Sequence, residues 1–367
     1  MHPVTAARLV TGFSSPEGRI LDPFCGSGTV LVEALIAGRQ AFGVDLNPFA
    51  VLLSKCKTKI RGSKDLQLLL DAAGAIAGLA DDRRLAKAKS TKKYTKADLV
   101  LFEPHILMEL DSLQMGIQEK KNHPAAADLW MVLSSMLVKF SRQPSDTSTA
   151  AKSRKLAAGF PARHFLRKTE ELTQRAAEFG QLVGSQPQIA KVWQGNAQLL
   201  KGLEIEAIDA IVTSPPYAAT YDYSQHHALR SRWLGLKVKE FEKGEMGART
   251  AYRNLDPQKA AARWHEELAL FLKAASAHLR PGLPLVLVVA DSSVGPVALR
   301  ADAAITSIAR DCGFYPSARA SQARPHFHGP GAAAFRELPR REHAIVLRRL
   351  PTKNPRPSSF THHQPLS

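Results

Sequence analysis
Residues Ile208-Asp209-Ala210-Ile211-Val212-Thr213-Ser214-Pro215-Pro216-Tyr217 run from an apolar stretch into a polar corner. The stretch reads as a buried strand, and the carboxyl end of a strand is where an open α/β sheet places its chemistry. Two prolines in succession fix two φ angles and supply no N–H. The carbonyls of Ser214 and Pro215 are therefore left as outward acceptors, and acceptors beside the ring of Tyr217 suit a planar amino group. Pro-Pro also marks ordinary surface turns, so the corner alone does not separate a site from a turn.

The amino-terminal region changes that balance. Arg19–Asp22 is a short strand signal, Pro23-Phe24-Cys25-Gly26-Ser27-Gly28-Thr29 a glycine-rich turn, and Leu31, Ala34 and Leu35 have helical spacing. Gly26 and Gly28 tolerate positive φ and let the backbone come close to a ligand. The helix beginning near Thr29 turns its free N–H groups towards that ligand. The next strand, Gln40–Val44, ends in Asp45-Leu46-Asn47-Pro48, and an acid at that place is how nucleotide-type sites hold two ribose hydroxyls. A dinucleotide-binding dehydrogenase is the rival reading, but Leu31 stands where Gly-x-Gly-x-x-Gly needs its last glycine. Val192-Trp193-Gln194-Gly195-Asn196-Ala197, Leu285–Ala290 and His343–Leu347 supply further strand signals.

Taken together, Asp22-Pro23-Phe24-Cys25-Gly26-Ser27-Gly28-Thr29 and Ser214-Pro215-Pro216-Tyr217 resemble the cofactor and catalytic motifs of the S-adenosylmethionine-dependent amino-methyltransferases. Ser-Pro-Pro-Tyr is the form most typical of cytosine-N4 DNA enzymes; Asp-Pro-Pro-Tyr is commoner for adenine-N6. The resemblance spans about residues 2–60 and 190–350. It implies a Rossmann-like α/β methyltransferase fold with a mostly parallel sheet, and S-adenosylmethionine as cofactor. Asp22, Phe24, Gly26, Ser27, Gly28 and Thr29 would seat it, Asp22 taking the methionine ammonium, Asp45 the ribose and Asn196 the adenine. Asn196 departs from the family's Gly-Asp-Ala pattern, which has an acid there. The Ser214 hydroxyl and the Pro215 carbonyl would draw out the amino hydrogens while Tyr217 stacks on a base taken out of its helix, a contact worth about 1 to 3 kcal/mol. Tyr221 and Tyr223 are read as lining or ordering the base pocket, and Arg230 and Arg232 as phosphate contacts. His2-Pro3 with Ala6–Val10 resembles the segment that closes over the methionine end. A tRNA guanine-N2 type RNA methyltransferase is the nearest alternative, and a catalytically silent nucleic-acid-binding protein is the alternative from another class.

The rest of the 367-residue chain fits this reading. A net charge of +17 and a pI near 9.9 point to a polyanionic partner, DNA ahead of RNA, and such an enzyme admits a restriction nuclease as a companion. No apolar run reaches the roughly 18 residues of a membrane span, and the chain opens without a signal segment, so residence is expected to be cytoplasmic. Cys25, Cys56 and Cys312 have no metal-ligand spacing and read as small buried hydrophobes. No metal is expected at His226-His227, because adjacent helical side chains point about 100 degrees apart. The carbon-5 cytosine methyltransferases use a nucleophilic thiol that follows a proline, and no Pro-Cys pair is present, so the chain does not resemble that family.

Residues 61–189 fall between the second and third strand signals and carry helical periodicity through Leu66, Leu69 and Leu70, then 102–113, 129–140 and 165–183. They are read as a helical insertion for nucleic-acid recognition, set into a catalytic domain of residues 1–60 and 190–350. Within it Met108, Trp130, Met131 and Met136 are assigned to the core. The basic run Arg83–Lys96 and the hydroxyl-rich loop 141–155 are the candidate phosphate contacts. Residues 237–253 are expected to be a mobile loop closing over the target, and residues 351–367 a disordered tail.

Overall fold
The computed structural model describes residues 1–143, 145, 156–184, 190–203, 205, 208–324 and 330–351. Seven strands form one sheet in the order β3-β2-β1-β4-β5-β9-β8. They are β1 (Arg19–Asp22), β2 (Gln40–Asp45), β3 (Ala190–Gln194), β4 (Ala210–Thr213), β5 (Pro284–Ala290), β8 (Phe314–Ala323) and β9 (Arg341–Arg349); β6 (Ser292–Val294) and β7 (Val297–Leu299) form a separate hairpin. β1 to β5 run parallel, whereas β9 lies antiparallel between β5 and β8. The chain therefore has the expected α/β architecture with a mostly parallel sheet.

Strand alternation divides the core between two layers. Ile20, Val212, Val286 and Val346 face α1 (Pro3–Phe13) and α2 (Thr29–Ile36) on one side. Leu21, Ile211, Leu287 and Ile345 face the other side, covered by α13 (Pro257–His278) and α14 (Ala301–Ile308) through Leu268, Phe271 and Ile305. β5 is buried at every residue, as expected of a strand covered on both faces. Strand order reverses between β1 and β4, and the register Ile20↔Ala210, Leu21↔Ile211 brings their carboxyl ends together. That switch point opens the ligand crevice in such sheets.

After α3 (Pro48–Thr58), the segment between β2 and β3 is helical: α4 (Ser63–Leu85), α5 (Lys96–Leu101), α6 (Pro104–Glu119), α7 (Ala126–Phe140) and α8 (Phe160–Val183). Leu69, Ile76, Leu110, Leu133, Met136 and Phe165 form its own hydrophobic core. Leu229 and Trp233 of α10 (Ala228–Trp233), which follows the Ser214–Tyr217 corner, also belong to that core. The helical segment therefore packs against the stretch that follows this corner. The basic run Arg83–Lys96 is partly folded back: Arg83 Nε donates to Ser112 Oγ (3.1 Å), and Lys92 Nζ lies 5.4 Å from the Trp233 ring centroid. Loop 141–155, beyond residues 141–143 and 145, and the tail after Pro351 lie outside the described residues.

Residues 237–253 depart from the mobile-loop expectation. They form α11 (Lys239–Gly244) and α12 (Arg249–Tyr252), and Phe241, Met246, Ala248 and Tyr252 are buried. Phe241 and Met246 bring this segment over the crevice, with α9 (Tyr223–His226) beside it.

Candidate active site
The cofactor-type turn is rigid for local reasons. Gly26 and Gly28 have φ of +50° and +78°, a region an L side chain disfavours. A Cβ on Gly28 would lie 2.9 Å from Ser54 Oγ and 3.1 Å from its Cα, so this glycine also lets α3 pack against the turn. Ser54 Oγ donates to the Gly26 carbonyl at 2.9 Å. The Gly26 N–H donates to Asp45 Oδ2 at 2.8 Å, and the Asn47 N–H donates to Oδ1 at 2.8 Å. Asp45 thus binds the β1 turn to the end of β2 while its carboxylate borders the cavity.

Asp22 performs the matching task across the switch point. Its Oδ1 accepts from the Thr213 hydroxyl at 2.6 Å and from the Phe24 N–H at 3.1 Å. Thr213 immediately precedes Ser214, so one hydrogen bond joins the two motifs.

A cavity of about 460 Å³ runs from this turn to the corner, within the size range of small-molecule sites. Asp22, Phe24, Gly26, Ser27, Thr29, Asp45 and Asn196 line its cofactor-type end; Gly28 sits behind the wall against Ser54. Ser214, Pro216 and Tyr223 line the other end, whereas Pro215, Tyr217 and Tyr221 lie outside the wall. Asn196 holds itself in place, its Oδ1 accepting from the Gln198 N–H at 2.8 Å.

Three carboxylates border this cavity: Asp22, Asp45 and Glu245. Burial pushes Asp22 up to about 7, against the opposing bonds from Thr213 and Phe24. Burial likewise pushes Asp45 up to about 6 and raises Glu245. Their hydrogen bonds among the described residues come from N–H and O–H groups, not from lysine or arginine. Buried carboxylates without a cation favour a cationic occupant.

At the corner, the Tyr217 phenol is hydrogen-bonded to the Ser214 side chain and is raised by burial. Ala219 follows with φ of +54°, which costs a non-glycine residue of order 1 kcal/mol or more. It is held by its N–H donating to the Gly247 carbonyl at 3.0 Å. Beyond it Tyr221, Tyr223 and His226 form a ring group with centroids 5.5 to 5.9 Å apart. Tyr221 is 43% and Tyr223 36% exposed.

Both arginines have contacts inside the protein. The Arg232 guanidinium is ion-paired at 2.7 Å with Asp98 of α5, which also accepts from Trp233 Nε1 at 3.2 Å. Arg230 lies over the Phe49 ring, 5.7 Å from its centroid. Sequence reasoning missed Glu245, Met246 and Phe241, because a polar, glycine-bearing stretch carries no pattern that places it on a cavity. It also missed His227, whose Nδ1 is 2.7 Å from Asn47 Nδ2.

Asp291, Asp302 and His343 form a group with metal-ligand chemistry among the described residues, at the carboxyl end of β5. Asp291 already accepts from the Ala301 and Arg341 N–H groups, from Arg300 at 2.9 Å and pairs with His343 at 3.1 Å. The group is an ion-pair network tying α14 and β9 to β5.

Residues 3–55 match the family model of a DNA methylase family, the N6/N4 type. The type II methyltransferase M.MvaI of Kocuria varians is 29% identical over 240 residues, 60% of this chain and 51% of that protein. The chain thus spans about half the length of this curated relative. Among solved structures, TrmN from Thermus thermophilus is 12% identical over 95% of this chain and 49% of its own, with a TM-score of 0.35. A SAM-dependent methyltransferase from Methanosarcina mazei is 10% identical over 95% and 98%, also with a TM-score of 0.35. The family match covers the cofactor-type turn and its surroundings, and there the chain is similar to the N6/N4 DNA methylases.

Proposed function
We propose that this protein transfers a methyl group from S-adenosylmethionine to an exocyclic amino group of a DNA base, with Ser214 favouring cytosine N4. The observation that carries the reading is the single cavity bordered by the Asp22–Thr29 turn at one end and by Ser214 and Pro216 at the other. The residues present fit the cofactor. Three acids of the cavity wall, with no lysine or arginine partner among the described residues, suit its ammonium and sulfonium charges, and the turn at Gly26 and Gly28 exposes backbone to it. When bound, it supplies an electrophilic methyl group.

The chain's own residues supply binding, orientation and exclusion of water. Asp22 holds the ammonium end, Asp45 the ribose hydroxyls and Asn196 the adenine edge. Phe241 and Met246 cover this end. A flipped base enters from the ring group side, its amino hydrogens directed to the Ser214 hydroxyl and the Pro215 carbonyl. Those acceptors draw the nitrogen's lone pair out of conjugation with the ring. Tyr217 holds the base face by stacking. No strong general base is assigned, because the amino proton becomes acidic only after the nitrogen carries the methyl.

DNA and RNA substrates are separated by supplying labelled S-adenosylmethionine with each pool in parallel. Label in DNA alone is the expected result. Label confined to RNA, or calorimetry without cofactor binding, contradicts the proposal.

A further inference from the structure
Two buried acids on neighbouring segments satisfy each other's helix starts. Glu245, at the end of α11, accepts from the Tyr223 N–H at 2.5 Å and the Ser224 N–H at 3.3 Å, the first residues of α9. In return Asp222, just before α9 and 1% exposed, accepts from the Thr250 N–H at 2.8 Å, its hydroxyl at 2.9 Å and Arg249 Nε at 3.2 Å, in the first turn of α12. Between these clasps the Arg249 N–H donates to the Tyr221 carbonyl and the Ala219 N–H to the Gly247 carbonyl, both at 3.0 Å. Glu267 of α13 backs the arrangement, accepting from the Gly247 N–H and the Tyr252 hydroxyl at 2.9 Å each.

Both clasped segments line the cavity, one through Gly244, Glu245 and Met246 and the other through Tyr223 and His226. On one arm, a Cβ at Gly244 would lie 2.9 Å from Leu46 and 3.8 Å from Asn196 Nδ2, so this arm presses on the adenosine end. The other arm continues from the Ser214–Tyr217 corner and carries the rings of Tyr221, Tyr223 and His226. α9 and α12 have four residues each, too short to stand without outside bonds. Each relies on the other arm's carboxylate for its first N–H groups.

Resting on the methyltransferase reading, we propose that Glu245 and Asp222 are positioning residues that lock the cofactor-side arm and the base-side lip into one unit, so that the cofactor end and the lip for the target base are set together. Steady-state methylation of unmethylated DNA with labelled S-adenosylmethionine tests this, using Glu245→Ala, Asp222→Ala, the double variant and Glu245→Gln. Each alanine variant should raise KM for cofactor and for DNA together, about fivefold or more. The double variant should be no worse than the poorer single by more than about twofold. Glu245→Gln keeps an acceptor for Tyr223 and should recover part of both losses. If an alanine variant fails to fold by circular dichroism, Glu245→Gln and Asp222→Asn carry the same comparison. A change in KM for one substrate alone, or single effects that multiply in the double variant, overturns the latch. A wild-type protein without methyl transfer refutes the methyltransferase reading and this inference with it; an active wild type with unlinked KM values refutes the latch alone.

Discussion

Replacing Asp22 by asparagine should make the cofactor-free protein more stable and a worse binder. Asparagine keeps the oxygen that accepts from Thr213 and Phe24 and removes the charge. Burial holds the Asp22 proton up to about pH 7, whereas the ordinary value is 3.8. The folded chain therefore binds more protons than the unfolded chain between these values, and stability falls as pH rises through that window. Above pH 7 the full penalty stands, on the order of 4 kcal/mol as an upper bound. Local relaxation leaves an expected gain of about 2 kcal/mol for Asp22→Asn at pH 8, vanishing below about pH 4, where both side chains are neutral. Urea unfolding of both proteins at pH 8 and pH 4, without cofactor, measures this gain. Calorimetry should show affinity for S-adenosylmethionine reduced about tenfold or more, the effect of one lost charge pair in a buried site. An Asp22→Asn protein that is less stable than wild type at pH 8, or that binds the cofactor equally well, would refute the reasoning.

The pH dependence of binding follows from the same groups. Cofactor affinity should rise from pH 5 to pH 8 as Asp45 and then Asp22 ionise near 6 and 7, and calorimetry in buffers of different ionisation enthalpy should detect protons released on binding near pH 6.5. Tyr217→Ala should lower kcat/KM for DNA by roughly 5- to 150-fold, the worth of one stacked base, and leave cofactor affinity within about twofold, since Tyr217 is outside the cavity wall. Asp98→Ala leaves the buried Trp233 N–H without its acceptor and should lower the urea midpoint by the equivalent of about 1 to 3 kcal/mol. Gly28→Ala meets both a φ of +78° and Ser54 at 2.9 Å, and should lose cofactor binding by calorimetry while the circular dichroism spectrum keeps its α/β form.

What the sequence disclosed and what it withheld have physical causes. β5 was legible because burial on both faces makes Leu285–Ala290 continuously apolar. β8 was not: it is an edge strand exposed from Tyr315 onward, with a register shift between Pro316 and Ala318. Its burial pattern therefore leaves no alternating signal. The helices between β2 and β3 announced themselves by period, but not that Trp233, far along the chain, completes their core. The pairing of Arg232 with Asp98 was not legible because the two lie 134 residues apart in the chain. Glu245 was invisible for a related reason, since its importance arises only where it meets the start of α9. The motif residues Asp22, Asp45 and Ser214 were readable because each sits at or just after a strand's carboxyl end, a position the local pattern marks.

Mass spectrometry of nucleosides from DNA treated with this protein and methyl-labelled S-adenosylmethionine reaches the central claim most directly. The account predicts label on an exocyclic nitrogen, in N4-methylcytosine, accumulating more slowly with Tyr217→Ala. Label in 5-methylcytosine, or no label in any nucleoside while the cofactor binds, would contradict it.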